Sequence, residues 1–272
     1  MIPMTTTIAC VITLFVSLVL PLLLALGFSM KYKKQGILSA WLLGAAGFLV
    51  TQIAIRLPIL TAISSQDWFI RFSREHLFLY ALSLAFTAGL FELVGRFVVA
   101  KILQKKMTAR RALAAGLGHG GIEAMVIIGL AYINNLVYIF MINAGSFDAM
   151  LSQLPTDQAA SMEAIRTALL TTSAPMFLLA GFERILTMVT HVALSMLVCW
   201  GVYSGKVSKC LLICLGIHTF IDLTAGISQL SGTVLSQTMA YAIIYAILTA
   251  VALLSIFMIK DIRRRFQEVE HA

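Results

Sequence analysis

The amino-acid sequence predicts an all-α membrane protein, a polytopic transmembrane bundle of about seven helices. Of its 272 residues, 60% are hydrophobic and only 12% are charged, whereas soluble domains are about half apolar and a quarter charged. The mean hydropathy is +0.94. Long apolar runs alternate with short basic segments, which is typical of a chain that crosses the lipid bilayer many times.

Individual spans can be located from the lengths of the apolar runs, because a transmembrane helix needs about 20 mostly apolar residues. Suitable segments are 7–29, 37–57, 76–100, 111–142, 174–204, 209–228 and 237–259. The fourth is long enough to cross with a tilt or to break near Asn134 and Asn135. No internal repeat divides the chain, so we expect a single domain over 1–272 with a motif-bearing core at 76–228.

The distribution of basic residues predicts the orientation of the spans. Lysine and arginine clusters follow alternate spans, as at 101–111 and 260–265, whereas the segments between them are mixed, acidic or, at 228–236, uncharged. The positive-inside rule therefore places the N-terminus outside and the C-terminus in the cytoplasm, in a plasma membrane or bacterial inner membrane. The net charge of +8 belongs to this pattern and does not indicate a nucleic-acid partner.

The long connection at 145–173 is predicted to lie outside the cell. Its second half carries Met162, Ile165, Leu169 and Leu170 at helical spacing, which indicates an amphipathic helix on the outer surface. A lid over a cavity fits the same pattern. His76 and His271 flank predicted spans, and we expect both to be solvated.

Ionisable residues inside the predicted spans indicate where the function lies, because such residues are costly in a bilayer and mark functional sites. They form pairs spaced i, i+4, which places both side chains on one helix face. The pairs are Glu92 with Arg96, His119 with Glu123, and His218 with Asp222. At about 1.5 Å per residue, the second and third pairs and His191 reach similar depths in the membrane, whereas Glu92 and Arg96 lie nearer the cytoplasmic face.

Three imidazoles with carboxylates at one depth indicate a metal site, and zinc is the expected ion. Catalytic zinc sites use three protein ligands and leave a position open for water. A nearby carboxylate then acts as a general base on that water. The glycines around His119 favour close helix packing, and we also expect them to leave room for water and an extended peptide.

Four segments resemble, in order, the motifs of the YhfC family of intramembrane metalloproteases. They are FELVGR (91–96), GLGHGGIEAM (116–125), ERILTMVTHVALS (183–195) and HTFIDL (218–223). The family is related to the PrsW proteases and, more distantly, to the type II CAAX endopeptidases and bacterial CPBP proteases. The resemblance implies hydrolysis of a peptide bond of a membrane protein or peptide, within or near the bilayer.

The resemblance also implies roles for individual residues. His191 and His218 match motif histidines and are expected metal ligands, with Asp222 as a fourth ligand or an orienting partner. His119 is the third expected ligand from its depth, although it stands where the related motif has phenylalanine. Glu123 is the expected general base. One departure from the wider superfamily concerns Phe91, which stands where related enzymes have a glutamate that activates water.

The first motif supplies two further candidates. Glu92 is a secondary candidate for the base, and Arg96 is expected to orient Glu92 or to hold a substrate carboxylate. Other functions remain open on the same residues. A non-catalytic scaffold or chaperone-like subunit of the superfamily would keep the polar cluster for packing, and a coupled transporter would also need buried histidines and carboxylates. A haem protein with two histidine ligands is a weaker alternative.

Overall fold

The computed structural model describes residues 1–228 and 236–270, and these residues form helices and no strand. In chain order the helices are α1 (Met4–Lys31), α2 (Ile37–Ser64), α3 (Asp67–Glu75), α4 (Leu77–Leu103), α5 (Ala109–Asn143), α6 (Phe147–Leu151), α7 (Thr156–Thr171), α8 (Ala174–Ser204), α9 (Val207–Ser228) and α10 (Gln237–Glu270). Seven of them, all but α3, α6 and α7, are long and apolar enough to cross a membrane. The predicted fold class is therefore confirmed. His271 and most of the uncharged connection at 228–236 lie outside the described residues.

Several of the long helices contain a π-helical segment, at Phe15–Val19 in α1, Leu49–Arg56 in α2 and Met125–Gly129 in α5. The fourth span does not break at Asn134 and Asn135, because both lie in regular α-helix. Its irregular turn begins instead two residues after Glu123. Such π-helical turns insert an extra residue into the helix and are frequent at functional sites.

The connection at 145–173 contains two helices, and the predicted amphipathic helix is present as α7. Leu169 of α7 is buried against Tyr132 and Ile139 of α5. Arg166 of α7 donates to Asp148 of α6 at 2.5 Å, and this bond links the two helices of the connection. Whether this segment acts as a lid stays a prediction.

The packing of the chain forms two compact units. Unit 1 comprises Met1–Leu23 and Ala124–Ile185, and unit 2 comprises Leu24–Glu123 and the described residues from Leu186 onward. In unit 2, α4 packs along α2 and α9, and α9 also packs against α10. The predicted catalytic and metal-binding residues all belong to unit 2.

Glycines bring the helices of unit 2 into close contact on two sides of α5. A Cβ atom built on Gly118 would lie 1.9 Å from the carbonyl oxygen of Trp41 in α2, and one on Gly120 would lie 2.8 Å from the Cβ of His191 in α8. A Cβ on Gly116 would likewise lie 2.6 Å from the Cα of Val192. The expected room for water and peptide is therefore absent at these three glycines, because α2 and α8 fill it.

Candidate metal centre

A buried polar cluster lies inside unit 2, where side chains from five helices meet. Gln52 comes from α2, Glu92 and Arg96 from α4, His119 and Glu123 from α5, His191 from α8, and His218 and Asp222 from α9. All of these residues except Asp222 are less than a tenth exposed. The side chain of Asp222 is 33% exposed and marks the open side of the cluster. The structure thus brings together every residue that the sequence assigned to the site.

Glu92 occupies the centre of the cluster. Its Oε2 atom lies 3.0 Å from Nε2 of His119 and 3.0 Å from Nη2 of Arg96. The same oxygen lies 3.6 Å from Nε2 of His218 and 3.7 Å from Nδ1 of His191. Three imidazoles therefore surround one carboxylate oxygen, and that carboxylate belongs to Glu92 rather than to Glu123.

A metal fits the donors around this oxygen. The ligand atoms of Glu92, His119 and His191 all lie within 4.8 Å of one another, and all three residues are buried. Two ligand atoms of a tetrahedral zinc ion, each about 2.0–2.1 Å from the metal, are about 3.4 Å apart. The distances of 3.0 Å and 3.7 Å from Oε2 of Glu92 to the two imidazoles lie on either side of that value. One carboxylate and two imidazoles are also a donor set that zinc accepts.

Two of the imidazoles also contact a second carboxylate, His191 through the ring nitrogen that points away from Glu92 and His218 through the same nitrogen that faces Glu92. Nε2 of His191 lies 2.8 Å from Oε2 of Glu123, and Nε2 of His218 lies 3.2 Å from Oδ2 of Asp222. The nitrogen that His191 turns toward Glu92 is consequently Nδ1. Carboxylates in such positions fix the tautomer and the orientation of a metal-binding imidazole.

Arg96 supplies a positive charge inside the cluster. Its Nη2 group lies 3.0 Å from Glu92 and donates to Nδ1 of His191 at 2.6 Å, while Nη1 lies 3.4 Å from Nδ1 of His218. The guanidinium thus compensates the charge of Glu92. It also uses the nitrogen of His191 that a metal would need, so metal binding requires Arg96 to give up this hydrogen bond.

Comparison with known proteins identifies the family. The model of the YhfC intramembrane metalloprotease family matches residues 16–245. The chain belongs to this family. It is 29% identical over 253 residues to the uncharacterized membrane protein YhfC of Bacillus subtilis strain 168, a match that covers 93% of this chain and 94% of the relative. No solved structure matches the chain.

Membership of the YhfC family confirms the resemblance seen in the four motifs, and the family name agrees with a site that can hold a metal. The relative is itself a membrane protein, in agreement with the seven spans of this chain. The roles assigned to individual residues stay predictions. Within the described residues, the compact metal-binding group contains Glu92, His119 and His191 but neither His218 nor Glu123.

Two residues of α2, Gln52 and Arg56, also reach the site, and neither was predicted from the sequence. Nε2 of Gln52 donates to Oε1 of Glu92 at 2.7 Å, and Oε1 of Gln52 accepts from Arg56 at 3.4 Å. Arg56 in turn donates to the carbonyl oxygen of Leu84 at 2.8 Å and to Thr87 at 3.3 Å. Gln52 and Arg56 have the same i, i+4 spacing as the other pairs, and this spacing was the available signal.

Proposed function

We propose that this protein is an intramembrane metal-dependent endopeptidase that hydrolyses a peptide bond of a membrane protein or peptide. The buried group of Glu92, His119 and His191 carries the proposal. Burying two imidazoles and a carboxylate at one point in a membrane protein is costly, and a divalent metal would use all three. The family that the chain belongs to is described as one of intramembrane metalloproteases, which supports the same function.

In the proposal, Oε2 of Glu92, Nε2 of His119 and Nδ1 of His191 hold the metal, and zinc is the first candidate from the donor chemistry. A bound divalent metal polarises a peptide carbonyl and lowers the pKa of water. The third ligand in the proposal is Glu92, in place of His218, which was expected from the sequence. The reason is that Glu92 shares one compact group with the other two ligands.

The proton acceptor in the proposal is Asp222. Glu92 is engaged as a ligand, and Glu123 is only 8% exposed and contacts the outer nitrogen of His191. Asp222 is the site carboxylate with a substantially exposed side chain, at 33%, so that water and substrate can reach it. His218 holds Asp222 in place at 3.2 Å. Glu123, expected from the sequence to be the base, instead orients His191.

The proposal is tested by metal analysis and cleavage assays on protein purified into lipid nanodiscs. Wild-type protein should bind one divalent metal per chain and should cleave members of a panel of fluorogenic single-span peptides. His119→Ala and His191→Ala should lose both the metal and cleavage. His76→Ala is the matched control, because His76 is exposed and lies outside the cluster. A wild-type protein that binds no divalent metal at stoichiometric amount would contradict the proposal.

One observation favours a second candidate, a non-catalytic membrane scaffold. Arg96 already compensates Glu92 and donates to His191, so the chain itself neutralises the central carboxylate of the cluster. A scaffold needs only this packing. It would bind no metal, and His119→Ala would leave its partner complex active. Metal flux into proteoliposomes that contain the protein would instead identify a transporter.

A further inference from the structure

A cavity of about 260 Å³ lies away from the metal centre, at the basic end of the spans of unit 2. It is formed where the connection between α1 and α2, the start of α5 and the end of α10 meet. The residues that line it are Gln35, Thr108, Ala109, Arg110, Arg263 and Gln267. The positive-inside rule assigns this end of the spans to the cytoplasmic surface of the membrane.

The two arginines of the cavity make no ion pair with a described residue. On α10, Asp261 pairs instead with the neighbours Arg264, at 3.0 Å, and Arg265, at 2.6 Å. Arg263 therefore keeps its full positive charge toward the cavity. With Arg110 on the α5 side, two guanidinium groups line the same space, and none of the described lining residues is a carboxylate.

Arg110 is held in position before any ligand arrives. Its Nη1 group donates to Oε1 of Gln35 at 3.0 Å, and its guanidinium carbon lies 4.4 Å from the centre of the Tyr32 ring. A cation fixed in this way loses little conformational entropy when it binds an anion. The first amides of α5, at Ala109 and Arg110, also have no acceptor within the helix, which adds to the positive potential.

The chemistry of the cavity matches a phosphate group. Guanidinium groups bind phosphate oxygens through paired hydrogen bonds, and the amides of Gln35 and Gln267 can bond to hydroxyls of a headgroup. The helices that frame the cavity expose large apolar side chains within two turns of it, since Met30 and Phe257 are each 67% exposed. An acyl chain attached to the phosphate would lie against such side chains.

We propose that this cavity binds the phosphate of an anionic phospholipid, with Arg110 and Arg263 as its two cationic contacts. Basic pockets between transmembrane helices on the cytoplasmic side bind anionic headgroups in this way. The proposal is independent of the metal centre and of the proposed proteolysis. It gives the protein a preferred lipid partner at one place on its surface.

The experiment measures lipid binding to full-length protein in detergent by native mass spectrometry, with phosphatidylglycerol and phosphatidylcholine as the probes. The variant is Arg110→Gln with Arg263→Gln. The control is Lys33→Gln with Lys105→Gln, which removes the same charge from the same end of the spans but does not touch the cavity. Wild type and control should bind phosphatidylglycerol in preference to phosphatidylcholine, and the cavity variant should bind it roughly tenfold more weakly than the control.

Three outcomes would overturn the proposal. Equal loss in both double variants would mean that general surface charge attracts the lipid. Equal binding of the two lipids by wild type would mean that the phosphate charge is not recognised. Competition by millimolar inorganic phosphate that abolishes lipid binding would identify a site for a soluble anion. A thermal melt of each variant, without added lipid, checks that all remain folded.

Discussion

The two units of this protein differ in how polar side chains are arranged within their spans. In unit 1, Thr13 and Tyr132 donate to the same backbone carbonyl of Phe177, at 2.8 Å and 2.9 Å, and neither side chain is charged. In unit 2, a carboxylate, an arginine and three histidines converge at one point. Hydroxyl-to-carbonyl bonds stabilise helix packing at little cost, whereas buried charges are costly in a bilayer. The contrast indicates that the hydroxyl groups of Thr13 and Tyr132 serve the fold and that the charged cluster of unit 2 serves a function. Unit 1 also carries a buried charge, Arg184, but among the described residues it pairs with its neighbour Glu183.

Replacement of Glu92 offers the strongest test of this contrast. In Glu92→Leu, Arg96 loses the carboxylate partner that the described residues give it, at 3.0 Å, and remains buried, so the free energy of unfolding should fall by about 3–5 kcal/mol. Thr13→Val in unit 1 should lower the free energy of unfolding by only about 0.5–1.5 kcal/mol, because it removes one neutral hydrogen bond. Denaturant titration in mixed micelles measures both. Equal decreases in the free energy of unfolding of the two variants would contradict the distinction between the two units.

The next prediction separates the carboxylates of unit 2 by their roles. Asp222→Asn should lower the rate of peptide cleavage by about 10²–10⁴-fold and leave the metal in place, because it removes the proposed proton acceptor. Glu123→Gln should lower metal affinity by about 10–100-fold, because it weakens the contact that orients His191. Metal titration and cleavage assays on both variants measure the two effects. The reverse pattern would restore Glu123 as the base.

Close helix packing in unit 2 gives a third prediction. Gly118→Ala should destabilise the protein by about 1–3 kcal/mol, since its Cβ would lie 1.9 Å from the carbonyl oxygen of Trp41. Gly216→Ala on α9 is the matched control, because nothing lies within 4 Å of its added Cβ. That change should be neutral or slightly stabilising in a helix. Thermal melts compare the two variants. Equal stability would show that α2 moves to accommodate the added methyl group.

The smallest expected effect concerns the hydrogen bond from Gln52 of α2 to Glu92. Gln52→Leu should weaken metal binding by about tenfold, because Oε1 of Glu92 loses the donor that orients it. Gln153→Leu, at an exposed position of unit 1, should leave the affinity unchanged. Competition with a fluorescent zinc chelator measures both. Restoration of the affinity by Gln52→Asn would place the effect in the hydrogen bond, whereas unchanged metal binding in Gln52→Leu would exclude Gln52 from the site.

Much of this architecture could be predicted from the sequence. Apolar length determined the seven spans, and the i, i+4 pairs with their matched depths brought the right side chains to one level. Depth, however, does not give the rotation of each helix about its axis. Glu123 was expected at the depth of the histidines and Glu92 nearer the cytoplasmic face, whereas the structure shows that three imidazoles face Glu92.

The remaining differences have equally local causes. Gln52 carries no charge, so it is not among the ionisable residues of the predicted spans, although its i, i+4 spacing to Arg56 matches that of the other pairs. The irregular turn at Met125–Gly129 contains neither proline nor asparagine, and nothing in its composition marks it. The glycines beside His119 fit either packing or open space, and the choice depends on where the backbones of α2 and α8 run.

The hydrogen bonds of Arg96 have a consequence for the order of assembly. A zinc finger has no stable fold until its metal arrives, because the free ligands cannot hold the chain together. Here the chain carries its own counter-charge for Glu92, at 3.0 Å on the next turn of the same helix. The helices can therefore insert and pack in the bilayer with their central charge already balanced. In the proposed metalloprotease, metal binding would then be a late step that follows insertion and packing of the helices.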